Sequence, residues 1–143
     1  MITVGAIEAS DDKSLYDKSS HGPNSDGVIK PDLVAPGVNI AAALANSDLE
    51  RMRTPISGTS FAAPHVTGVI ALALSMAQKA SVRSGTTISA LNIDAGWIRQ
   101  HLINSLDDFN LYGNHERGYG RLNARDFLNA VRGNLMLLTS ETN

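Results

Sequence analysis

The 143-residue sequence predicts an α/β fold, and three observations lead there. Ile2-Thr3-Val4-Gly5-Ala6-Ile7 is a short apolar run rich in β-branched residues, the pattern of a buried strand. Lys30 to Ile40 reads as two further short strands, placed by Pro31 and Pro36, which cannot donate to a ladder and so belong at strand starts or bends. From Ser60 onward the period becomes helical, with Ala62, Ala63, Val66, Val69, Ile70, Ala73, Leu74 and Ala77 recurring at helical spacing.

The elements follow in order. After the first strand, residues 8 to 30 are polar and turn-rich, with His21-Gly22-Pro23 and Asn24-Ser25-Asp26-Gly27 as breakers. They predict a long surface excursion with a small strand near Tyr16. Ala41 to Arg53 reads as a turn followed by a surface loop. In the helix that follows, Gly68, Ala71 and Leu72 fill most of the remaining faces, so it is apolar nearly all round and expected to be buried in a large core. Pro64 belongs in its first turn, which puts the start near Ser60. Residues 80 to 90 read as a polar loop. Asp94 to Ser105 predicts a second helix, amphipathic through Ile98, Leu102 and Leu106. A glycine-rich loop spans 107 to 120. Asn123 to Val131 predicts a third helix with Phe127, Leu128 and Val131 inward and Gly133 as its stop, leaving 133–143 as a tail or linker.

Composition removes several function classes. With 43% hydrophobic and 18% charged residues the chain is an ordinary globular sequence. A net charge of −2 leaves no electrostatic footprint for nucleic acid or anionic lipid. The absence of cysteine excludes disulfides, a thiolate nucleophile and cysteine-ligated zinc, and leaves the redox compartment open. The stretch Val66 to Ala77 is too short to span a bilayer, so no membrane partner is expected. Met1 leads straight into the strand, with neither a basic leader nor a cleavage site, so localisation is open.

Chemistry concentrates in Ser57-Gly58-Thr59-Ser60-Phe61-Ala62-Ala63-Pro64-His65. A serine preceded by glycine and followed by a buried helix sits at a helix N-terminus. There the unpaired backbone N–H groups and the positive end of the macrodipole stabilise an oxyanion developing on a carbonyl that Ser60 attacks. Gly58 permits a tight backbone approach, and Ala62 and Ala63 let other segments pack close. A lone Gly-Thr-Ser would read as an ordinary N-cap. The full string Gly-Thr-Ser-x-Ala-x-Pro arises by chance on the order of once per ten thousand chains of this length.

That string resembles the nucleophile-serine motif of the subtilisin-like serine peptidases, the subtilases. Flanking segments are similar in the same order: the strand at residues 2–6, Ser20-His21-Gly22-Pro23, Lys30-Pro31-Asp32-Leu33-Val34-Ala35-Pro36-Gly37-Val38, and the closing Gly118-Tyr119-Gly120-Arg121-Leu122-Asn123-Ala124. The resemblance covers about residues 2–132. It implies a three-layer α/β sandwich with a mainly parallel sheet, of which this chain is the C-terminal part. It implies Ser60 as catalytic nucleophile, Thr59 and Gly58 as support for the loop and oxyanion site, and a peptide or protein substrate; from the residues themselves no metal or other cofactor is expected.

The family order is Asp, His, Ser. Its Asp-[Ser/Thr]-Gly and His-Gly-[Thr/Ser]-His motifs do not occur here, nor does the asparagine expected before the strand at residue 2. No other residue replaces them. His65 lies about 140° round the helix from Ser60 and is expected to pack inside. His21 falls in a different turn, and His101 and His115 read as surface or structural. Asp32 is expected to fix a turn. No calcium-loop or zinc-motif spacing occurs, and no Gly-x-Ser-x-Gly elbow supports a lipase-type hydrolase.

A core parallel strand does not open a domain without its crossover, so the reading expects the N-terminal half of the catalytic domain to be encoded before Met1. That half is then the chain's structural partner, and the chain is expected to be inactive alone. The alternative is a non-catalytic subtilase-like remnant or interaction module. Subtilases are often secreted; nothing in these residues bears on export.

Overall fold

A computed structural model describes residues 1–9, 14–43, 52–85, 87, 92–108 and 112–140. The chain divides into two compact units, Met1–Val66 with Asp108–Arg121, and Thr67–Asp107 with Leu122–Asn143.

In the first unit β1 (Val4–Glu8) runs parallel to β2 (Leu33–Val38), from Val4 opposite Leu33 to Ile7 opposite Pro36. The register then slips by one residue, so that Glu8 faces Val38. Pro36 has no amide for the ladder, and the slip is how the sheet accommodates it. Ala6, Ile7, Leu33, Val34, Ala35 and Val38 are buried, the near-continuous apolar pattern of parallel strands covered on both faces. On the far side of β2, Val34 N–H donates to the Gly120 carbonyl at 3.0 Å and Val34 bridges in parallel to Arg121.

The excursion after β1 is not purely a surface feature. Tyr16 N–H donates to the Ala6 carbonyl (3.0 Å), Glu8 N–H to the Ser14 carbonyl (2.9 Å), and Ala6 N–H to the buried Ser19 Oγ (3.1 Å). The small strand expected near Tyr16 is a single antiparallel bridge between Leu15 and Ile7. These bonds occupy the outer edge of β1 from Ala6 onward, where an exposed ladder would invite association.

Asp32 does more than fix a turn. Its carboxylate is 1% exposed and accepts from Thr3 N–H (2.8 Å), Thr3 Oγ1 (2.8 Å) and Lys30 Nζ (2.6 Å). Burial of a carboxylate is tolerable only with such a donor set. The Asp32 carbonyl in turn accepts from Tyr119 N–H at 2.9 Å. Gly118, at φ 66°, passes so close that a Cβ there would run into the Pro31 carbonyl oxygen.

The region read as turn and loop from Ala41 to Arg53 instead contributes strand. β3 (Ile40–Ala43) pairs antiparallel with β4 (Met52–Ile56), Ile40 opposite Ile56 and Ala43 opposite Met52. Residues 44–51 lie outside the described residues. The loop expected over 107–120 holds one helical turn, α3 (Asn114–Arg117), in which Gly113 N–H donates to Glu116 Oε2 at 2.8 Å.

The second unit is helical. α1 (Thr59–Ser84) begins in the first unit and runs 26 residues, past the end expected at residue 80. By length and composition alone it could cross a bilayer, which the shorter apolar stretch read from the sequence could not. α2 (Ala95–Asn104) is capped by Asp94, whose Oδ1 accepts from Trp97 N–H at 2.7 Å. α4 (Ala124–Ser140) starts at Asn123, whose side-chain oxygen accepts from Asp126 N–H at 2.9 Å. Its core is Val69, Ala73 and Ala77 from α1, Ile98 and Leu102 from α2, and Phe127, Val131 and Leu135 from α4. Gly133 is not a stop. The helix runs through it to Ser140, because Leu135 continues the buried stripe begun at Phe127 and Val131.

Two substitutions check this description. Gly133→Ala should raise stability by about 0.5–1 kcal/mol in thermal unfolding, because the glycine is mid-helix with open space at its Cβ. A true helix stop would lose stability instead. Asp32→Ala should lower stability by about 3 kcal/mol in urea unfolding by orphaning the Thr3 and Lys30 donors. Lys30→Met should also lower stability, by more than the ~1 kcal/mol of an exposed ion pair, since it leaves the buried Asp32 carboxylate without its charged partner.

Candidate active site

Ser60 lies in the first turn of α1 and is exposed. Three backbone constraints lead the chain to it. The Ile40–Ile56 pair closes the β3–β4 hairpin immediately before Ser57. Asn39, at φ 55°, then donates its N–H to Ser57 Oγ at 3.0 Å. Gly58 N–H donates to the Gly37 carbonyl at 2.8 Å. The end of β2 is thereby stapled to the start of α1.

Glycine at 37 is a steric requirement. A Cβ there would stand 2.8 Å from both the Ala6 Cβ and the Gly58 carbonyl oxygen, and 3.1 Å from the Ala62 Cβ. Gly58 itself takes φ 157°, and its carbonyl accepts from Phe61 N–H at 3.0 Å to close the first helical turn. The Thr59 and Ser60 amides precede that closure, among the helix's first N–H groups, which lack intrahelical partners. The first turn carries no acidic residue, so the positive end of the macrodipole is not offset beside the hydroxyl. Pro64 falls just past that turn and supplies no amide to the Ser60 carbonyl four residues before it.

Gly58 and Thr59, half-buried, thus meet Ser60 at one helix terminus, as the sequence anticipates. Ala62 is buried against the Gly37 approach, whereas Ala63 is exposed. His65 departs from expectation as well. It is exposed rather than packed inside, and its Nδ1 lies 2.8 Å from the Phe61 carbonyl oxygen, an i to i−4 contact along the helix surface. His101 stacks on Trp97 at 3.8 Å with Nδ1 2.9 Å from the Trp97 carbonyl oxygen. His21 and His115 are exposed; the His115 carbonyl accepts from Gly22 N–H at 2.7 Å. Among the described residues no histidine or carboxylate bonds the Ser60 hydroxyl. Sequence reasoning passed over Asn39 and Ser57 as positioning groups; the glycine after Pro36 was the available signal for this junction.

A parallel strand pair and a long helix with an exposed serine in its first turn define an α/β protein. The chain belongs to the subtilase family, whose model matches residues 1–120. It is 37% identical over 120 residues to the subtilisin-like protease SBT5.5 of Arabidopsis thaliana, covering 73% of this chain and 15% of that protein. It is 32% identical over 124 residues to pyrolysin of Pyrococcus furiosus, covering 80% of this chain and 8% of that protein. Among solved structures, the self-cleaved protease domain of PatA superposes with a TM-score of 0.66 at 30% identity, over 92% of this chain and 42% of that one. The Clostridium perfringens CspB protease gives 0.67 at 26% identity, over 92% and 27%. The fold is therefore a partial subtilisin-like α/β fold. The chain spans 15% of the length of SBT5.5 and 8% of pyrolysin, a small part of these curated relatives.

The staple makes a prediction. Gly37→Ala should destabilise the chain by about 1–3 kcal/mol in denaturant unfolding, because its Cβ would overpack against Ala6 and the Gly58 carbonyl. Gly68→Ala, with open space at its Cβ, should not.

Proposed function

We propose that this chain carries the nucleophile of a serine endopeptidase and supplies Ser60 to a catalytic site completed by residues outside these 143. In this reading residues 1–132 are the C-terminal part of the catalytic domain, and 133–143 are a tail that leads out of it, helical through Ser140. The observation that carries it is the exposed Ser60 at the N-terminus of α1, held by the Gly58–Gly37 bond.

The chemistry follows from that position. Ser60 Oγ attacks the scissile peptide carbonyl while its proton passes to a histidine imidazole, itself oriented by an aspartate. The Ser60 N–H, with the helix dipole behind it, holds the oxyanion of the tetrahedral intermediate, and Thr59 and Gly58 keep the loop in register. The amine leaves with the proton from histidine, and water then hydrolyses the Ser60 ester. The substrate is a peptide or protein, and no metal or other cofactor takes part. The N-terminal part of the domain is the structural partner; nucleic acid and membrane are not. In this reading α1, for all its length, is a domain helix rather than a bilayer span.

Alone, the chain has no base for Ser60, whose hydroxyl keeps its ordinary reactivity. Removing the serine or histidine of such a triad lowers kcat by about 10⁶, a magnitude that belongs to subtilisin. The purified chain should therefore leave casein intact. Joined to the Asp- and His-bearing part of a subtilase catalytic domain, it should react with a fluorophosphonate at Ser60, and Ser60→Ala should abolish labelling. Casein cleavage by the chain alone that is lost in Ser60→Ala would overturn the requirement for outside residues. A joined, folded domain that takes no label would leave a non-catalytic subtilase-like module.

A further inference from the structure

In the second unit a groove of about 430 Å³ lies between the C-terminal turns of α1 and the second half of α4. Met76, Leu135 and Met136 form its apolar floor, and Lys79, Arg83 and Arg132 stand around it. Met136 is 62% exposed, unusual for a large apolar side chain and suited to an adaptable contact surface.

The charges are one-sided. α1 contains no Asp or Glu anywhere along Thr59–Ser84. Over its described span, the only acid of α4 is Asp126, at the N-terminal end, where its Oδ2 accepts from Asn123 Nδ2 at 2.9 Å. Among the described residues none of Lys79, Arg83 and Arg132 has an acidic partner. Lys79 and Arg83 stand four residues apart on one helix face, a like-charge spacing that destabilises a helix. Arg83 is accounted for by the negative C-terminal end of α1; Lys79 and Arg132 are not.

We propose that this groove is a docking site for an acidic peptide segment of a partner, with an apolar anchor seated on Met76, Leu135 and Met136 and flanking carboxylates paired with Lys79, Arg83 and Arg132. The concave apolar floor calls for an inserted side chain rather than a flat lipid surface. Two or three carboxylates would relieve the like-charge spacing, and the groove has room for an anchor of one or two side chains.

The test uses a fluorescein-labelled peptide, Leu-Phe-Leu flanked by two Asp on each side, and its counterpart flanked by Asn, titrated with the 143-residue chain by anisotropy. The acidic peptide should bind about tenfold or more tighter, and its binding should weaken steeply from about 0.05 to about 0.5 M salt. The double variant Arg83→Glu with Arg132→Glu should lose binding about tenfold or more. Arg125→Glu, a charge reversal on α4 outside the groove, should keep it. Far-UV circular dichroism checks that each variant retains its helices; should the double variant lose them, Lys79→Gln gives the same readout with smaller effect. Equal binding of the two peptides, no binding of either, or equal loss in Arg125→Glu would overturn the proposal. Binding of phosphatidylserine vesicles without peptide binding would overturn it too, in favour of a lipid surface.

Discussion

At the end of β2 two backbones meet with no side chain between them. Gly58 N–H reaches the Gly37 carbonyl at 2.8 Å, and any Cβ on Gly37 would collide with Ala6 and with the Gly58 carbonyl oxygen. Much of the first unit answers to that contact. It sets where the β3–β4 hairpin must return, because Ile40 pairs with Ile56 only if the chain re-enters beside Asn39. It also sets where α1 starts, since the Gly58 carbonyl accepts the first helical bond from Phe61. A serine two residues beyond such a junction has little freedom in its backbone position. That is the preorganisation an oxyanion site requires, because donors that need no reorganisation stabilise charge most.

The other end of the same strand is held by a comparable device with different chemistry. Asp32 brings a buried carboxylate to the start of β2, where the Thr3 and Lys30 donors satisfy it, while its carbonyl takes Tyr119 N–H. Gly118 passes against the Pro31 carbonyl without room for a side chain. β2 is thus pinned at its start by a charge network and at its end by a glycine contact. Both devices hold backbone rather than side chains, so the strand can carry plain apolar residues between them. Three chain segments far apart in sequence, near Thr3, Asp32 and Tyr119, converge there.

What the sequence made legible follows from the range of the forces involved. β1, α2 and the serine at a helix N-terminus are local patterns, and each is found within about two residues of where periodicity places it. The errors cluster where long-range packing decides. Gly133 looked like a stop because glycine favours helix ends, yet burial of Leu135 carries α4 through it. Ala41 to Arg53 reads as turn and loop because neither β3 nor β4 stands without the other. Asp32 looked like a turn residue because its donors Thr3 and Lys30 include one far away in sequence. His65 is expected inside because its neighbours are apolar, but on α1 the buried positions are Ala62, Val66, Val69, Ala73, Ala77 and Ser81, a stripe that leaves position 65 outside.

That narrow stripe bears on what α1 is for. Leu72 and Leu74 flank the buried Ala73 at about 100° on either side, and they are 56% and 40% exposed. Ala63 and Ala71, small residues that permit close approach, face outward too. A surface helix of a self-sufficient domain puts polar residues at such positions, because solvent rewards them and apolar ones invite association. The composition of α1 therefore anticipates more burial than this chain provides. The serine at its N-terminus has the same character: a hydroxyl on a fixed backbone, without a histidine or carboxylate bonded to it among the described residues. An outward apolar face and a serine at a fixed helix N-terminus on the same element are what the proposed reading calls for, since in it both are completed by the same neighbouring structure.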